Sequence, residues 1–276
     1  MSEAGAWRAI EAATGGLAVR HLARGGTGAP LLLVHGIGPG TTGAANFTPL
    51  IEALPGDVPL HMIDLAGFGG SARKPAQPGF DVDHWLAQID DALDRIGTPA
   101  VLVGNSVGGA LALKAAARRR DVLAVLAIGA AAAPMAPTLE LAAFWRAPRS
   151  PAQLAEALRP MTAHGAEPSA AVVAERWLPF ADPAYAAWFD TMLERPAQCL
   201  AAAAVTREEA GAIRVPVRLL HGRQDRACPP APLCAFVGEA LPQADLTLLA
   251  RCGHNVIAER TAEVAAAIEL IRKKGH

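Results

Sequence analysis

The stretch that decides the fold is Gly104-Asn105-Ser106-Val107-Gly108. It follows an apolar run at 99–103 and leads into a helical pattern at 109–117. The two glycines permit a turn so tight that a Cβ at either position would collide with the neighbouring strand or helix. Such a strand-to-helix turn exposes the serine hydroxyl at the carboxyl end of a sheet, beside helix N–H groups that favour developing negative charge. The sequence therefore predicts a nucleophilic serine, and the alternative is an ordinary serine at a helix start.

Short β-type runs alternate with longer helical patterns on both sides of this turn. Alternation of this kind implies βαβ units and a mainly parallel sheet with helices on both faces, so the predicted fold class is α/β. The predicted strands are 17–22, 30–34, 58–63, 100–103, 122–128, 215–221 and 245–249, and the predicted helices are 47–54, 82–96, 107–119, 233–241 and 262–273.

One long stretch interrupts the alternation. Between residues 128 and 215 no strand pattern occurs. The helical pieces there are interrupted by Pro148, Pro151, Pro160, Pro168, Pro179, Pro183 and Pro196. We therefore predict a sheet domain formed by residues 1–132 and 213–276, with a helical cap inserted at 133–212.

The composition narrows the classes of partner. The 276 residues carry 25 basic and 26 acidic side chains, which gives no electrostatic case for nucleic acid or an anionic membrane. The most apolar stretch, 122–137, contains two prolines and is too short for a membrane span, so a buried strand followed by a loop explains it better. A small-molecule substrate is the expected partner, and a homodimer is the base-rate expectation for an assembly.

Several common signatures are missing from the sequence. Residues 1–7 lack a basic region followed by an apolar core, so no signal peptide is expected. The four cysteines show neither CxxC pairs nor zinc spacing, which favours reduced thiols in a cytoplasmic protein and no metal. The glycine-rich loops match neither dinucleotide-binding nor P-loop motifs, so no cofactor is expected.

A serine hydroxyl needs a base, and the base needs a group that orients it. Where a nucleophilic serine lies on such a strand-to-helix turn, its acid and then its histidine follow later in the chain. Asp225 lies in the loop after the predicted strand 215–221, and His254 lies in the loop after 245–249. We expect His254 to act as general base and Asp225 to fix its tautomer. The alternatives are a turn role for Asp225, a packing role for His254, and His221 as the base.

The oxyanion should be bound by two backbone N–H groups. Val107, the residue after the nucleophile, is expected to supply the first, and Ile37 in the loop after the strand 30–34 is expected to supply the second. His35 is expected to stabilise this loop by hydrogen bonding, and Asp64 is expected to tie down another loop without a catalytic role.

The regions 17–130 and 213–272 resemble the α/β-hydrolase superfamily. Within it the chain resembles the meta-cleavage-product hydrolases, which cleave a carbon–carbon bond in 2-hydroxy-6-oxo-hexa-2,4-dienoates from aromatic degradation. The run 35–40 (HGIGPG) followed by Asn46 is similar to that family's oxyanion loop and downstream asparagine. Asn105 before the serine also matches, and Arg176 in the run 175–177 (ERW) resembles the arginine that handles the dienol and carboxylate end.

The resemblance implies a serine hydrolase whose dienolate substrate first ketonises. Ser106 and His254 would then support attack on the C6 ketone, while Asn46, Asn105 and Arg176 bind the carboxylate and the C2 oxygen. Arginine suits this role because it grips a carboxylate through two parallel hydrogen bonds. From the residues alone, Asn46 is equally well a helix N-cap, and Arg176 is equally well a salt-bridge residue on the cap surface.

Two departures favour a second function. Family members usually carry a small residue where this chain has Ile37, and a tryptophan where it has Asn255. Both changes reshape the pocket, so an esterase, lactonase or thioesterase using the same triad is the alternative. A non-catalytic ligand receptor on the same fold is the remote alternative. The aromatic residues of the predicted cap either line the substrate pocket or pack in the protein core. They are Phe144, Trp145, Trp177, Trp188 and Phe189.

Overall fold

The computed structural model describes residues 6–75 and 79–274, and side chains through residue 272. The expectation about a signal peptide concerns residues of which 1–5 lie outside the described part. The strands are β1 (Trp7–Ile10), β2 (Ala13–Thr14), β3 (Leu17–Ala18), β4 (His21–Arg24), β5 (Leu31–Val34), β6 (Leu60–Ile63), β7 (Ala100–Asn105), β8 (Val122–Ile128), β9 (Val217–Gly222) and β10 (Asp245–Leu249).

The helices lie between and after these strands. They are α1 (Gly43–Ala53), α2 (Val82–Ile96), α3 (Val107–Arg118), α4 (Leu139–Phe144), α5 (Pro151–Leu158), α6 (Ala170–Trp177), α7 (Pro183–Met192), α8 (Pro196–Ala203), α9 (Arg207–Ala212), α10 (Pro230–Ala240), α11 (Val256–Glu259) and α12 (Thr261–Lys274). Two 3-10 helices, Arg159–Met161 and Leu178–Ala181, follow α5 and α6.

Eight strands form one sheet in the order β1-β4-β6-β5-β7-β8-β9-β10. The pairs β1–β4 and β4–β6 are antiparallel, and all pairs from β6 onwards are parallel. The prediction of a mainly parallel α/β sheet is therefore confirmed. The predicted strands missed β1, because an edge strand with exposed side chains has no apolar pattern.

Strand β5 shows why both faces of the sheet carry helices. Leu31 and Leu33 belong to one buried cluster, which includes residues of α1 and α12. Leu32 and Val34 belong to the other, which includes residues of α2 and α3. Since successive side chains of a strand point to opposite faces, an unbroken run of apolar residues requires a core on each side.

Most predicted elements agree with the structure, and two differ for physical reasons. The predicted strand 17–22 is divided into β3, which pairs with β2 in a small separate ladder, and β4, which joins the main sheet. Helix α1 begins at Gly43 rather than at residue 47, because the Thr42 hydroxyl accepts the Ala45 N–H and caps the helix earlier.

Residues 129–216, all of them described, contain helices and loops without a strand. The two ends of this stretch meet where the Val205 N–H donates to the Ala132 carbonyl at 2.9 Å. Lys114 of α3 forms an ion pair of 2.9 Å with Glu209 of α9, which attaches the returning chain to the helix behind the serine. The division into sheet domain and cap stays a prediction.

The apolar stretch 122–137 lies inside the protein. It begins with β8, whose side chains are almost all buried between the two layers of helices. In the described part of the chain, none of the helices has the length and apolar character that crossing a bilayer requires.

Candidate active site

Ser106 occupies a strained turn between β7 and α3. Its backbone has φ 54° and ψ −119°, a region that residues with a Cβ rarely adopt. A Cβ on Gly104 would lie 2.2 Å from the Gly108 carbonyl oxygen, and a Cβ on Gly108 would lie 2.2 Å from the Val34 carbonyl oxygen. Both glycines are therefore required, because helix α3 starts directly against β7 and β5.

Three polar side chains from separate loops meet at this turn. The His254 Nε2 lies 3.0 Å from the Ser106 Oγ, and the His254 Nδ1 lies 2.7 Å from the Asp225 Oδ2. All three residues are buried, with at most 7% of any of them exposed. Burial by itself lowers the pKa of His254, but the charge of Asp225 and its hydrogen bond outweigh burial and raise that pKa above its ordinary value.

The Asp225 carboxylate is held by its own turn. Its Oδ1 accepts the Cys228 N–H at 2.8 Å, so a turn role and an orienting role coexist in one residue. His221, the alternative base, directs its Nε2 to the Cys228 carbonyl at 2.7 Å and lies 3.3 Å from the Asp225 carboxylate. Burial lowers the pKa of His221 and keeps it neutral. His254, and not His221, is the histidine within hydrogen-bond range of the serine.

His35 holds the loop after β5 by two hydrogen bonds to the backbone. The His35 Nδ1 donates to the Gly36 carbonyl at 2.7 Å, while its Nε2 accepts the Leu65 N–H at 2.9 Å. Because a trans peptide directs its C=O and N–H in opposite directions, this hydrogen bond fixes where the Ile37 N–H points. Burial lowers the pKa of His35, which keeps the ring neutral and its Nε2 able to accept. The expected loop-stabilising role of His35 agrees with these contacts.

The N–H groups of the two expected oxyanion donors have no acceptor in the described part of the chain. Among the hydrogen bonds of the described residues, none uses the N–H of Ile37 or of Val107 as donor. Both residues are buried, with exposed fractions of 3% and 0%. The Ile37 carbonyl accepts the Trp145 indole N–H at 3.0 Å, which holds the next peptide of the loop in place. Asp64, as expected, ties down neighbouring loops by accepting the N–H groups of Gly43 and Gly70.

Arg176 of α6 reaches the same loop. Its Nε donates to the Pro39 carbonyl at 2.9 Å, and its Nη2 donates to the Thr41 hydroxyl at 2.8 Å. A Cβ on Gly40, where φ is +61°, would lie 1.9 Å from the Arg176 carbonyl oxygen, so α6 packs directly on the loop.

The charge of Arg176 is not balanced by an ion pair. No carboxylate within the described part of the chain forms a salt bridge with it, which contradicts a role as a surface salt-bridge residue. Burial lowers its pKa to about 10 despite the neighbouring Glu175, so the side chain stays charged at neutral pH. Three of its five N–H donors remain for a ligand.

Asn46 and Asn105 form a pair beneath this loop. The Asn46 Oδ1 accepts both the Gly36 N–H and the Asn105 Nδ2, each at 2.9 Å. Asn46 lies inside α1, which is capped by Thr42, so the alternative that Asn46 is a helix N-cap is wrong. The Asn105 Oδ1 is buried without a hydrogen-bond partner in the described structure. An amide donor of Asn46 and an amide acceptor of Asn105 are therefore free for a ligand.

These groups line one cavity of about 180 Å³. Its polar wall contains Ser106, His254, Asn46, Asn105 and Arg176, together with Thr41 and Asn255. Its apolar wall contains Ile37 and side chains from the inserted stretch, among them Phe144, Leu158, Met161 and Val172. No sequence pattern pointed to Thr41, Met161 or Val172, because ordinary polar and apolar residues become cavity-lining residues only through their position in the fold.

One aromatic residue of the inserted stretch lines the cavity, and others pack in the protein interior. Phe144 lines the cavity, whereas Phe189 is fully buried in the core. Trp177 stacks on Phe180, and Trp188 packs against Phe68 and Gly67. Most of these side chains therefore pack, as their helical spacing permits.

The chain is similar in sequence to known hydrolases. The sequence profile described as the alpha/beta hydrolase family matches residues 31–267. The 2-hydroxy-6-oxo-2,4-heptadienoate hydrolase of Pseudomonas putida strain F1 is 30% identical over 238 residues, which cover 85% of this chain and 86% of that protein.

Two solved structures are similar over nearly their whole length. A variant of the meta-cleavage product hydrolase from Pseudomonas fluorescens IP01 has a TM-score of 0.86 and 25% identity, covering 95% of this chain and 97% of that one. The 2-hydroxy-6-oxo-6-phenylhexa-2,4-dienoate hydrolase from Rhodococcus sp. strain RHA1 has a TM-score of 0.84 and 25% identity, covering 97% of this chain and 100% of that one.

Proposed function

Because the chain belongs to the alpha/beta hydrolase family, we propose that it is a serine hydrolase that cleaves a carbon–carbon bond in a 2-hydroxy-6-oxo-dienoate from aromatic degradation. One observation carries the proposal. Arg176, a partly buried cation without an ion-pair partner among the described residues, lines the same cavity as Ser106. A neutral ester gives that cation no partner, whereas a dienoate brings a carboxylate to it.

The catalytic roles are assigned to three residues. Ser106 is the nucleophile, His254 takes its proton, and Asp225 orients the imidazole and stabilises its charged form. The distances of 3.0 Å and 2.7 Å along this chain of hydrogen bonds support the assignment. The raised pKa of His254 makes it a stronger base for the serine proton.

The oxyanion is assigned to the N–H groups of Ile37 and Val107. Val107 is the first residue of α3, so its N–H has no acceptor within the helix and adds the positive end of the helix dipole. The Ile37 N–H is preorganised by the hydrogen bond from His35 to the Gly36 carbonyl. Donors that are fixed before the reaction stabilise developing charge without reorganisation.

Three side chains are assigned to bind the carboxylate end of the substrate. Arg176 binds the carboxylate through its remaining guanidinium donors. Asn46 contributes its free Nδ2 group as a donor, and the unpartnered Oδ1 of Asn105 accepts a hydrogen bond from the C2 hydroxyl group. Together they fix the dienoate with its C6 ketone at Ser106.

The reaction begins when the 2-hydroxy-dienoate ketonises: the C2 hydroxyl loses its proton and C5 gains one. Ser106 Oγ then bonds to C6 as its proton passes to His254. When the C5–C6 bond breaks, its electron pair is delocalised from C5 to the C2 oxygen through the conjugated system. The proton held by His254 passes to the departing dienolate, which leaves the imidazole neutral again. Water then releases the acyl group from Ser106, with His254 taking a proton from the water and returning it to the Ser106 oxygen.

The residues 133–212 are proposed as the cap that closes this site. Phe144, Leu158, Met161 and Val172 supply its apolar contribution to the cavity wall. The volume of about 180 Å³ is below the roughly 300–1,000 Å³ of common ligand pockets. A cavity of this size favours a substrate with a short substituent at C6, such as methyl, over one with a phenyl group.

The test uses the yellow dienolate absorbance of 2-hydroxy-6-oxohepta-2,4-dienoate. We expect the purified protein to bleach it, and we expect the variant Ser106→Ala to lose at least about 1,000-fold in turnover. Arg146→Gln serves as a control, because Arg146 is an exposed arginine of the inserted stretch outside this cavity. A protein that hydrolyses simple aryl esters but leaves the dienolate unbleached would have the alternative function, that of an esterase.

A further inference from the structure

Glu259, the last residue of α11, joins two separate parts of the chain. Its Oε1 accepts the N–H of Gly253, the residue before His254, at 2.9 Å. Its Oε2 accepts the N–H of Ala163, in the inserted stretch, at 2.9 Å. Each oxygen of one half-buried carboxylate therefore holds a different segment.

The two segments also touch directly. The Asn255 N–H donates to the Met161 carbonyl at 2.8 Å. A Cβ on Gly253 would lie 2.6 Å from both the Ala163 nitrogen and the Thr162 carbonyl carbon, so the backbones are as close as a glycine permits. Residues 161–162 line the cavity, and His254 lies on the other segment. The cavity wall and the catalytic histidine thus share one backbone junction.

We propose that Glu259 is a positioning residue. It holds the His254 loop in a fixed position relative to the segment 161–163, of which residues 161 and 162 line the cavity. It acts through these segments and does not touch the substrate. The inference rests on the triad of the proposed function but not on its carbon–carbon bond cleavage.

Electrostatics agrees with this role. Burial lowers the pKa of His254, the charge of Asp225 raises it, and Glu259 adds a smaller effect in the same direction as Asp225. Glu259 therefore favours the imidazolium that forms when the serine gives up its proton.

The test compares Glu259→Gln with Glu263→Gln. Glutamine has the size of glutamate, but its one carbonyl oxygen can accept only one of the two N–H groups, and its amide group opposes the other. Glu263 is a half-exposed carboxylate on α12 whose nearest cation is Arg260 at 3.8 Å, so its substitution removes the same charge without touching the junction. Thermal unfolding of both variants measures any general loss of stability.

Two measurements are made on each variant. The rate at which a small fluorophosphonate modifies Ser106 reports the placement of His254, and we expect Glu259→Gln to slow it at least about tenfold. Hydrogen exchange reports the junction, and we expect faster exchange in the peptides that contain Gly253 and Ala163. The Glu263→Gln variant should match the unmodified protein in both.

An unchanged fluorophosphonate rate in a folded Glu259→Gln variant overturns the proposal, as does faster exchange at only one of the two segments. If Glu259→Gln does not fold, Glu259→Asp keeps the charge but is one methylene too short to reach both donors, and the same measurements decide. Neither measurement uses the dienoate, so a failure of the proposed substrate class is recognised separately. If the unmodified protein does not react with the fluorophosphonate, the triad assignment itself fails.

Discussion

Replacement of Arg176 by glutamine removes a cation for which the described structure offers no counter-ion. Two unit charges at 4 Å interact by about 4 kcal/mol at an effective dielectric constant of 20. Because Arg176 is only partly buried, solvent screening reduces this to about 2–3 kcal/mol. We therefore expect the kcat/KM for a dienoate to fall roughly 30- to 150-fold, since each 1.36 kcal/mol corresponds to a factor of ten.

The assay measures the same variant with two substrates. The dienoate carries a carboxylate, whereas p-nitrophenyl acetate is neutral and reports the triad and the oxyanion donors alone. Arg176 also donates to Pro39 and Thr41, so a displaced oxyanion loop would slow both substrates equally. An equal loss on both substrates, or no loss on the dienoate, would refute the assignment of Arg176 to the substrate carboxylate.

The geometry predicts four further outcomes. His254 must be neutral to act, and its pKa is raised, so kcat/KM should be lost as pH falls, with a midpoint above 6.5. Asp225→Asn should move that midpoint to lower pH and reduce kcat by roughly 10³–10⁴-fold; a midpoint that stays in place would contradict the role of Asp225. Gly108→Ala should lower the free energy of unfolding in urea by about 3 kcal/mol, because its Cβ meets the Val34 carbonyl at 2.2 Å. Phe144→Ala should raise the kcat/KM for a 6-phenyl dienoate relative to the 6-methyl dienoate about tenfold, and an unchanged ratio would show that Phe144 does not limit the substituent.

The triad could be predicted because each member follows a strand of the parallel sheet. Strands β7, β9 and β10 end at Asn105, Gly222 and Leu249, and Ser106, Asp225 and His254 lie one to five residues beyond these ends. Parallel strands bring their carboxyl ends to one edge, so residues that are far apart in the chain converge there. The distances between these three side chains, and their other hydrogen-bond partners, could be read only from the tertiary structure.

The roles of the remaining site residues depend on tertiary contacts that cannot be predicted from the spacing of residues in the sequence. The sequence left Asn46 as either a helix N-cap or a substrate-binding residue. In the structure Thr42 caps the helix, and the Asn46 Oδ1 accepts hydrogen bonds from Gly36 and Asn105. Arg176 could be a surface residue until its α6 backbone was seen packed on Gly40. The interaction of Glu259 with Ala163 spans 96 positions, and nothing in the sequence pointed to it.

By itself the sequence determined the order of the parallel strands and their helices, the tight turn at Ser106 and the identity of the three polar residues that meet there. These follow from local physics: apolar periodicity, the conformational freedom of glycine and the position of loops after strands. Only the tertiary structure decided which polar atoms are already occupied, which remain free for a ligand and how large the cavity is. Those properties depend on side chains from distant segments packing against one another, and a cavity exists only where that packing leaves space.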